Sequence, residues 1–133
     1  MTTIASINAM VHNIKNKIKA LIVDDEKDIC FLLGGMLEYK NLDPRFVYSI
    51  TEARKELERE KPAVIFLDNH LPDGSGMNFI VEIKEKYPDI KIIMISAYDT
   101  NADKKRASLE GVTQFIGKPF TKDMVYQTLE KVL

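Results

Sequence analysis

Cysteine is almost absent from this sequence: Cys30 stands alone in 133 residues, so no internal disulfide can form. Set among Ile29, Phe31 and Leu32, it reads as a small buried hydrophobe, as expected in a reducing cytosol. Long apolar runs are missing too. Nothing approaches the ~20 residues of a membrane span, and the start Met1-Thr2-Thr3-Ile4-Ala5-Ser6 lacks the basic and apolar regions of a signal peptide. Nor is there an excess charge. With 19 Lys plus Arg against 20 Asp plus Glu, the net charge of -1 gives no basic field for nucleic acid or an acidic membrane. Repeats and low-complexity tracts are absent. What remains is ordinary globular composition, 45% hydrophobic and 29% charged, in a length that suits one domain.

Residues 1–18 place Ile4, Ile7, Val11, Ile14 and Ile18 three and four apart, which predicts an amphipathic helix or linker ahead of the domain at 19–133. His12, on its polar side, reads as a solvated side chain rather than a phosphate-relaying histidine. Five short apolar runs then alternate with helical patterns. The strands are expected at Ala20 to Val23, Arg45 to Tyr48, Ala63 to Leu67, Lys91 to Ile95 and Val112 to Ile116. Asn41-Leu42-Asp43-Pro44 reads as the turn before the second strand. Ser49-Ile50-Thr51-Glu52 has the form of a capping box, and Thr121 caps the last helix. Gly34-Gly35 inside the first helix costs about 1 kcal/mol each relative to alanine, which implies either a close backbone approach or local softness. Strands alternating with helices imply an α/β fold with a mainly parallel sheet covered on both faces.

Polar residues follow the strands. Asp24 and Asp25 end the first, Asp68 the third, Ser96 and Ala97 the fourth, and Lys118 the fifth. Parallel strands put their carboxyl ends on one edge, so these residues converge. A single acid there reads as a solvated loop residue near a helix start. Three acids repel one another unless a cation intervenes, and carboxylate oxygens suit Mg²⁺. Within such a set, Asp68 can act as a nucleophile toward phosphorus, provided the transferring charge is neutralised. The Lys118 ammonium and the Ser96 hydroxyl suit that task, and small Ala97 leaves access; taken singly, Ser96 is equally a helix cap and Lys118 a surface cation.

The ordered set Asp24-Asp25, Asp68-Asn69-His70-Leu71-Pro72-Asp73-Gly74-Ser75-Gly76, Ser96-Ala97 and Lys118-Pro119-Phe120, over residues 19–133, resembles the receiver domain of bacterial response regulators. The resemblance implies a flavodoxin-like, doubly wound (βα)5 fold with strand order 2-1-3-4-5, preceded here by the helical extension. It implies that Asp68 accepts a phosphoryl group from a phosphohistidine on a sensor histidine kinase or histidine phosphotransfer protein. Asp25 and Asp68 would ligate Mg²⁺ directly with the His70 backbone carbonyl, and Asp24 through water. Lys118 would pair with Asp68 or its phosphate, while Ser96 and Phe115 would move as switch residues. Ala97, His70 and Tyr98 would flank the phosphoryl group and tune its lifetime. The Lys118-Pro119 bond would be cis, and the switching surface would be the fourth helix, fifth strand and fifth helix.

By the same resemblance the chain is a cytoplasmic signalling phosphoacceptor, not an enzyme beyond Mg-dependent self-phosphorylation and self-dephosphorylation. It acts on a downstream protein target, and a homodimer is compatible with it. The sequence ends with the fifth helix, so a stand-alone receiver, a phosphorelay intermediate and a domain cut from a larger regulator or hybrid kinase all fit. Phe115 departs from the tyrosine or histidine of many relatives, which removes any hydroxyl contact and leaves ordinary core as an equal reading. Lys104-Lys105-Arg106 reads as a solvated face. A non-phosphorylated interaction module with the same fold is the alternative. A flavin enzyme is disfavoured, because the acidic Asp24-Asp25-Glu26 loop repels phosphate.

Overall fold

The computed structural model describes residues 3–8, 17–98 and 100–133. In chain order the elements are β1 Ile18–Val23, α1 Lys27–Tyr39, β2 Leu42–Val47, α2 Ile50–Arg59, β3 Val64–Asp68, α3 Gly76–Lys86, β4 Lys91–Ser96, α4 Asn101–Leu109, β5 Gln114–Gly117 and α5 Lys122–Val132. Between β3 and α3, His70–Leu71 pairs antiparallel with Gly74–Ser75 as a two-rung hairpin. The five long strands form one sheet in the order β2-β1-β3-β4-β5, parallel throughout. This is the doubly wound, flavodoxin-like order expected from the sequence.

Alternate residues of the central strands feed two separate cores, because successive side chains point to opposite faces. Leu21, Val23, Ile65, Leu67, Ile92 and Met94 pack with Ala53 and Leu57 of α2, Met77, Ile80 and Ile83 of α3, and Ala107 of α4. Ala20, Ile22, Val64, Phe66, Ile93 and Ile95 pack with Cys30, Leu33 and Leu37 of α1 and with Val125 and Leu129 of α5. Each large side chain buried this way contributes about 1.5–3 kcal/mol. β3 is buried at all five positions, so the acid at its end is held by the most completely buried strand of the sheet.

Helix starts follow local chemistry. The hydroxyls of Ser49, Ser75, Thr100 and Thr121 accept the N–H groups of Glu52, Asn78, Asp103 and Met124, capping α2, α3, α4 and α5. The two glycines of α1 differ. A Cβ at Gly34 would lie 2.6 Å from the Phe46 ring, whereas nothing lies within 4 Å of one at Gly35. Close approach therefore explains Gly34 alone.

Three strand starts depart from the sequence reading by two or three residues, and the other strand boundaries shift by one residue at most. Ile18 opens β1 opposite Leu42 rather than closing the N-terminal helix. Within that helix, residues 4–8 are helical with Ile4 and Ile7 exposed; Val11, His12 and Ile14 lie outside the described residues. β2 begins at Leu42, three residues before the expected start, because an edge strand tolerates the missing N–H of Pro44. β5 begins at Gln114 because the amide of Val112 still bonds to Ala107 at the end of α4. Among the described residues no helix is long and apolar enough to cross a membrane.

Candidate functional site

Asp68 is the last residue of β3 and only 4% exposed, its Cα paired in register with Ile95. On one side β1 runs out into Asp24, whose N–H bonds to Val47 at 3.1 Å and whose side chain is fully buried. Asp25 follows and is exposed. One carboxylate oxygen from each of Asp24, Asp25 and Asp68 can be chosen so that all lie within 4.8 Å of one another. The sheet thus brings together the three acids that the sequence placed at the ends of two different strands.

Lys118 enters from the far side of the sheet, just past β5. Its ammonium lies 2.8 Å from Asp24 Oδ2, 3.1 Å from Glu26 Oε1 and 3.4 Å from Asp68 Oδ1. The expected pairing with Asp68 exists, but the shorter contact is to Asp24. Asp24 Oδ1 accepts the Glu26 N–H at 2.9 Å. Oδ2 has the Lys118 ammonium beside it, yet no donor aligned for a hydrogen bond among the described residues. The Lys118-Pro119 bond is cis, as the resemblance implied.

These acids are poorly compensated. Burial and the neighbouring Asp24 charge push the Asp68 carboxyl up to about 6, with Lys118 pulling the other way. Burial likewise raises Asp24 despite its contact with Lys118. On Lys118, burial opposes the charge, but its close contact with Asp24 and the charges of Asp68 and Asp24 outweigh it and raise its pKa. Cys30 is inert in this setting. Burial pushes its thiol up to about 11, and its Sγ–H donates to the Asp24 carbonyl at 3.2 Å.

Ser96 ends β4 beside Asp68 and is buried; its Oγ accepts the Tyr98 N–H at 3.1 Å. It does not cap α4, a task taken by Thr100. Lys118 N–H donates to the Ser96 carbonyl at 2.8 Å, which ties the two strand ends together. Ala97 is exposed. His70 and Tyr98, both exposed, meet edge-on with ring centroids 4.6 Å apart. Phe115 is half-buried against the core shared by α2, α3 and α4.

Several contributors escaped the sequence reading. Asn69 accepts the Gly76 N–H with its carbonyl and the Met77 N–H with its side chain, at 2.8 and 2.9 Å, and so fixes the start of α3 against the end of β3. A Cβ at Gly76 would fall 2.2 Å from the Asp68 carbonyl oxygen, so only glycine permits that approach. Glu26 adds a third carboxylate around Lys118. Asn69 and Gly76 stand within the stretch Asp68 to Gly76 that carries the family resemblance, which attaches no role to either.

The response regulator receiver domain family model matches residues 20–130. The chain belongs to the response regulator receiver domains. This receiver is 40% identical over 101 residues to response regulator protein PilR of Pseudomonas aeruginosa, covering 76% of this chain and 23% of that protein. It is 33% identical to nitrogen assimilation regulatory protein NtrX of Azorhizobium caulinodans, covering 85% of the chain and 25% of the relative. The receiver therefore spans about a quarter of the length of these curated relatives. The solved receiver domain of NtrX from Brucella abortus superposes with a TM-score of 0.81 at 30% identity, over 86% of this chain and 97% of that one. A response regulator from Burkholderia pseudomallei, solved with a phosphorylated aspartic acid and a calcium ion, gives 0.78 at 26% identity, over 86% and 66%. Two-component signalling is thus the setting of this fold.

Proposed function

We propose that this receiver takes a phosphoryl group onto Asp68 from a phosphohistidine of a sensor histidine kinase or phosphotransfer protein. The observation that carries the reading is the buried Asp68 carboxylate beside two further acids, with one lysine ammonium bridging Asp24 and Asp68. The site fits a divalent cation such as Mg²⁺: its donors are hard oxygens, and the single Lys118 ammonium leaves much of the negative charge of Asp24, Asp25 and Asp68 uncompensated. Asp24, Asp25, Asp68 and the His70 carbonyl would hold the ion, which supplies charge neutralisation for the transferring group. An Asp68 oxygen attacks phosphorus, the bond to the imidazole nitrogen breaks, and the histidine leaves with the bonding pair. Lys118 then faces a new phosphate oxygen in place of the carboxylate charge.

The chemistry makes Asp68 a stoichiometric acceptor whose acyl phosphate is later lost to water. Ala97 leaves access to the phosphoryl group, and the edge-on pair of His70 and Tyr98 governs its exposure to water. Ser96 is placed to donate its hydroxyl hydrogen to a phosphate oxygen, and Phe115 to repack with it, displacing α4, β5 and α5 toward a downstream protein target. Support for that switch lies in α4, where Ala107 is buried but Leu109 is 79% exposed, so little apolar surface holds the helix down.

Incubation with Mg²⁺ and acetyl phosphate should add one phosphoryl group by mass, and Asp68→Asn should abolish the gain. Undiminished labelling of that variant would refute Asp68 as acceptor. A wild-type chain that takes no label and no Mg²⁺ would instead be a phosphate-independent interaction module.

A further inference from the structure

The loop after Asp68 is fastened to a helix that lies outside the site. Asp73 Oδ1 accepts the Ile50 N–H at 2.9 Å, and its Oδ2 accepts the Thr51 N–H at 2.9 Å and the Thr51 hydroxyl at 2.7 Å. The Ser49 hydroxyl accepts only the third amide of that turn, the Glu52 N–H at 3.1 Å. The start of α2 is thus capped mainly by a carboxylate more than twenty residues ahead in sequence. The three donors hold the Asp73 carboxyl at about 2, although it is exposed. Gly74 completes the seat: with φ +154, it brings the loop so close that a Cβ would meet Ile50 Cδ1 at 2.9 Å.

The same loop carries His70. His70 pairs with Ser75 and Leu71 with Gly74, so the hairpin is a short paired strip between two anchors. Asn69 fastens its near end to α3, and Asp73 fastens its tip to α2. The acids Asp24 and Asp25, just past β1, and Asp68, at the end of β3, do not depend on this strip. The His70 carbonyl does.

We infer that Asp73 is a positioning residue: by docking the hairpin on the first turn of α2, it sets the His70 carbonyl where the divalent cation needs it. The inference rests on the metal reading above and extends it. Losing the tether loosens one neutral oxygen ligand while leaving the carboxylates and Lys118 in place. Cation affinity falls, and the transfer chemistry at saturating cation does not.

The test uses the full chain with Asp73→Ala, Asp73→Asn and Thr51→Val. Mg²⁺ binding is followed by calorimetry, and labelling by acetyl phosphate is followed across a Mg²⁺ titration. Asp73→Ala should raise the Mg²⁺ dissociation constant roughly tenfold, the range for residues that orient a metal ligand. Its labelling rate at saturating Mg²⁺ should stay within about twofold of wild type, since the transition-state groups are untouched. In the metal-free protein, amide exchange should quicken at Ile50 and Thr51. Asp73→Asn retains one acceptor oxygen and should fall between. Thr51→Val removes only the hydroxyl bond and should weaken Mg²⁺ by a smaller factor, which keeps the test decisive if Asp73→Ala does not fold. Lowered thermal stability with an unchanged Mg²⁺ constant in these variants would reduce Asp73 to a helix cap and overturn the inference. A wild-type chain that binds no Mg²⁺ would remove the metal reading and this one together.

Discussion

Replacing Asp68 should make the metal-free protein more stable. The unfolded chain holds the Asp68 proton with an ordinary pKa of 3.8, and the folded protein holds it with one of about 6. A raised carboxyl pKa means that the fold prefers the protonated acid, so stability is lost as pH climbs through roughly 4 to 6 and the loss persists above that window. At 1.36 kcal/mol per pH unit, ionised Asp68 costs the fold about 3 kcal/mol at pH 7.5 and about 1 kcal/mol at pH 4.5. Asp68→Asn keeps the shape and removes the charge, while Lys118 retains Asp24 and Glu26 as partners. Urea unfolding in EDTA should therefore show a gain of about 2–3 kcal/mol at pH 7.5, shrinking to about 1 kcal/mol at pH 4.5. Mg²⁺ should reverse the order by stabilising wild type more than the variant. A variant no more stable than wild type at pH 7.5, or a gain independent of pH, would refute the view of the site as a store of unrelieved charge.

Two further substitutions test the glycines. Gly35→Ala should stabilise α1 by up to about 1 kcal/mol, since its Cβ meets nothing; Gly34→Ala should forfeit that gain by displacing the Phe46 ring, and paired denaturant curves separate the two. Gly76→Ala should cost about 3 kcal/mol or more in chemical denaturation and slow acetyl phosphate labelling of Asp68, because its Cβ collides with the Asp68 carbonyl, which cannot move without shifting β3.

Much of this architecture is legible before any coordinates. The continuous apolar runs Ala20 to Val23 and Val64 to Leu67, each running straight into an acid, suit strands of a sheet covered on both faces. Once the strands are parallel, Asp24, Asp25, Asp68, Ser96 and Lys118 must share an edge, whatever their separation in sequence. The misses have physical causes. Ile18 fits both a helical spacing with Ile14 and a strand spacing with Ala20, and pairing with Leu42 decides between them. Pro44 reads as a breaker because composition cannot reveal that β2 is an edge strand. The preference of Lys118 for Asp24 over Asp68 depends on a few tenths of an ångström, which no spacing encodes. Asp73 looks like turn chemistry within Pro72-Asp73-Gly74, and its donors lie in a segment that already has its own capping serine.

The placement of Asp68 has a mechanical corollary. Its strand is braced by β1 and β4 and buried at every position, while α4 is fastened beneath chiefly by Ala107. A disturbance at the carboxylate cannot be absorbed where it arises, because that part of the molecule is an anvil. If Asp68 takes a phosphoryl group as proposed, the change would come out where the molecule is least packed, so the direction in which this domain speaks would be set by the uneven packing of its frame as much as by the chemistry at its centre.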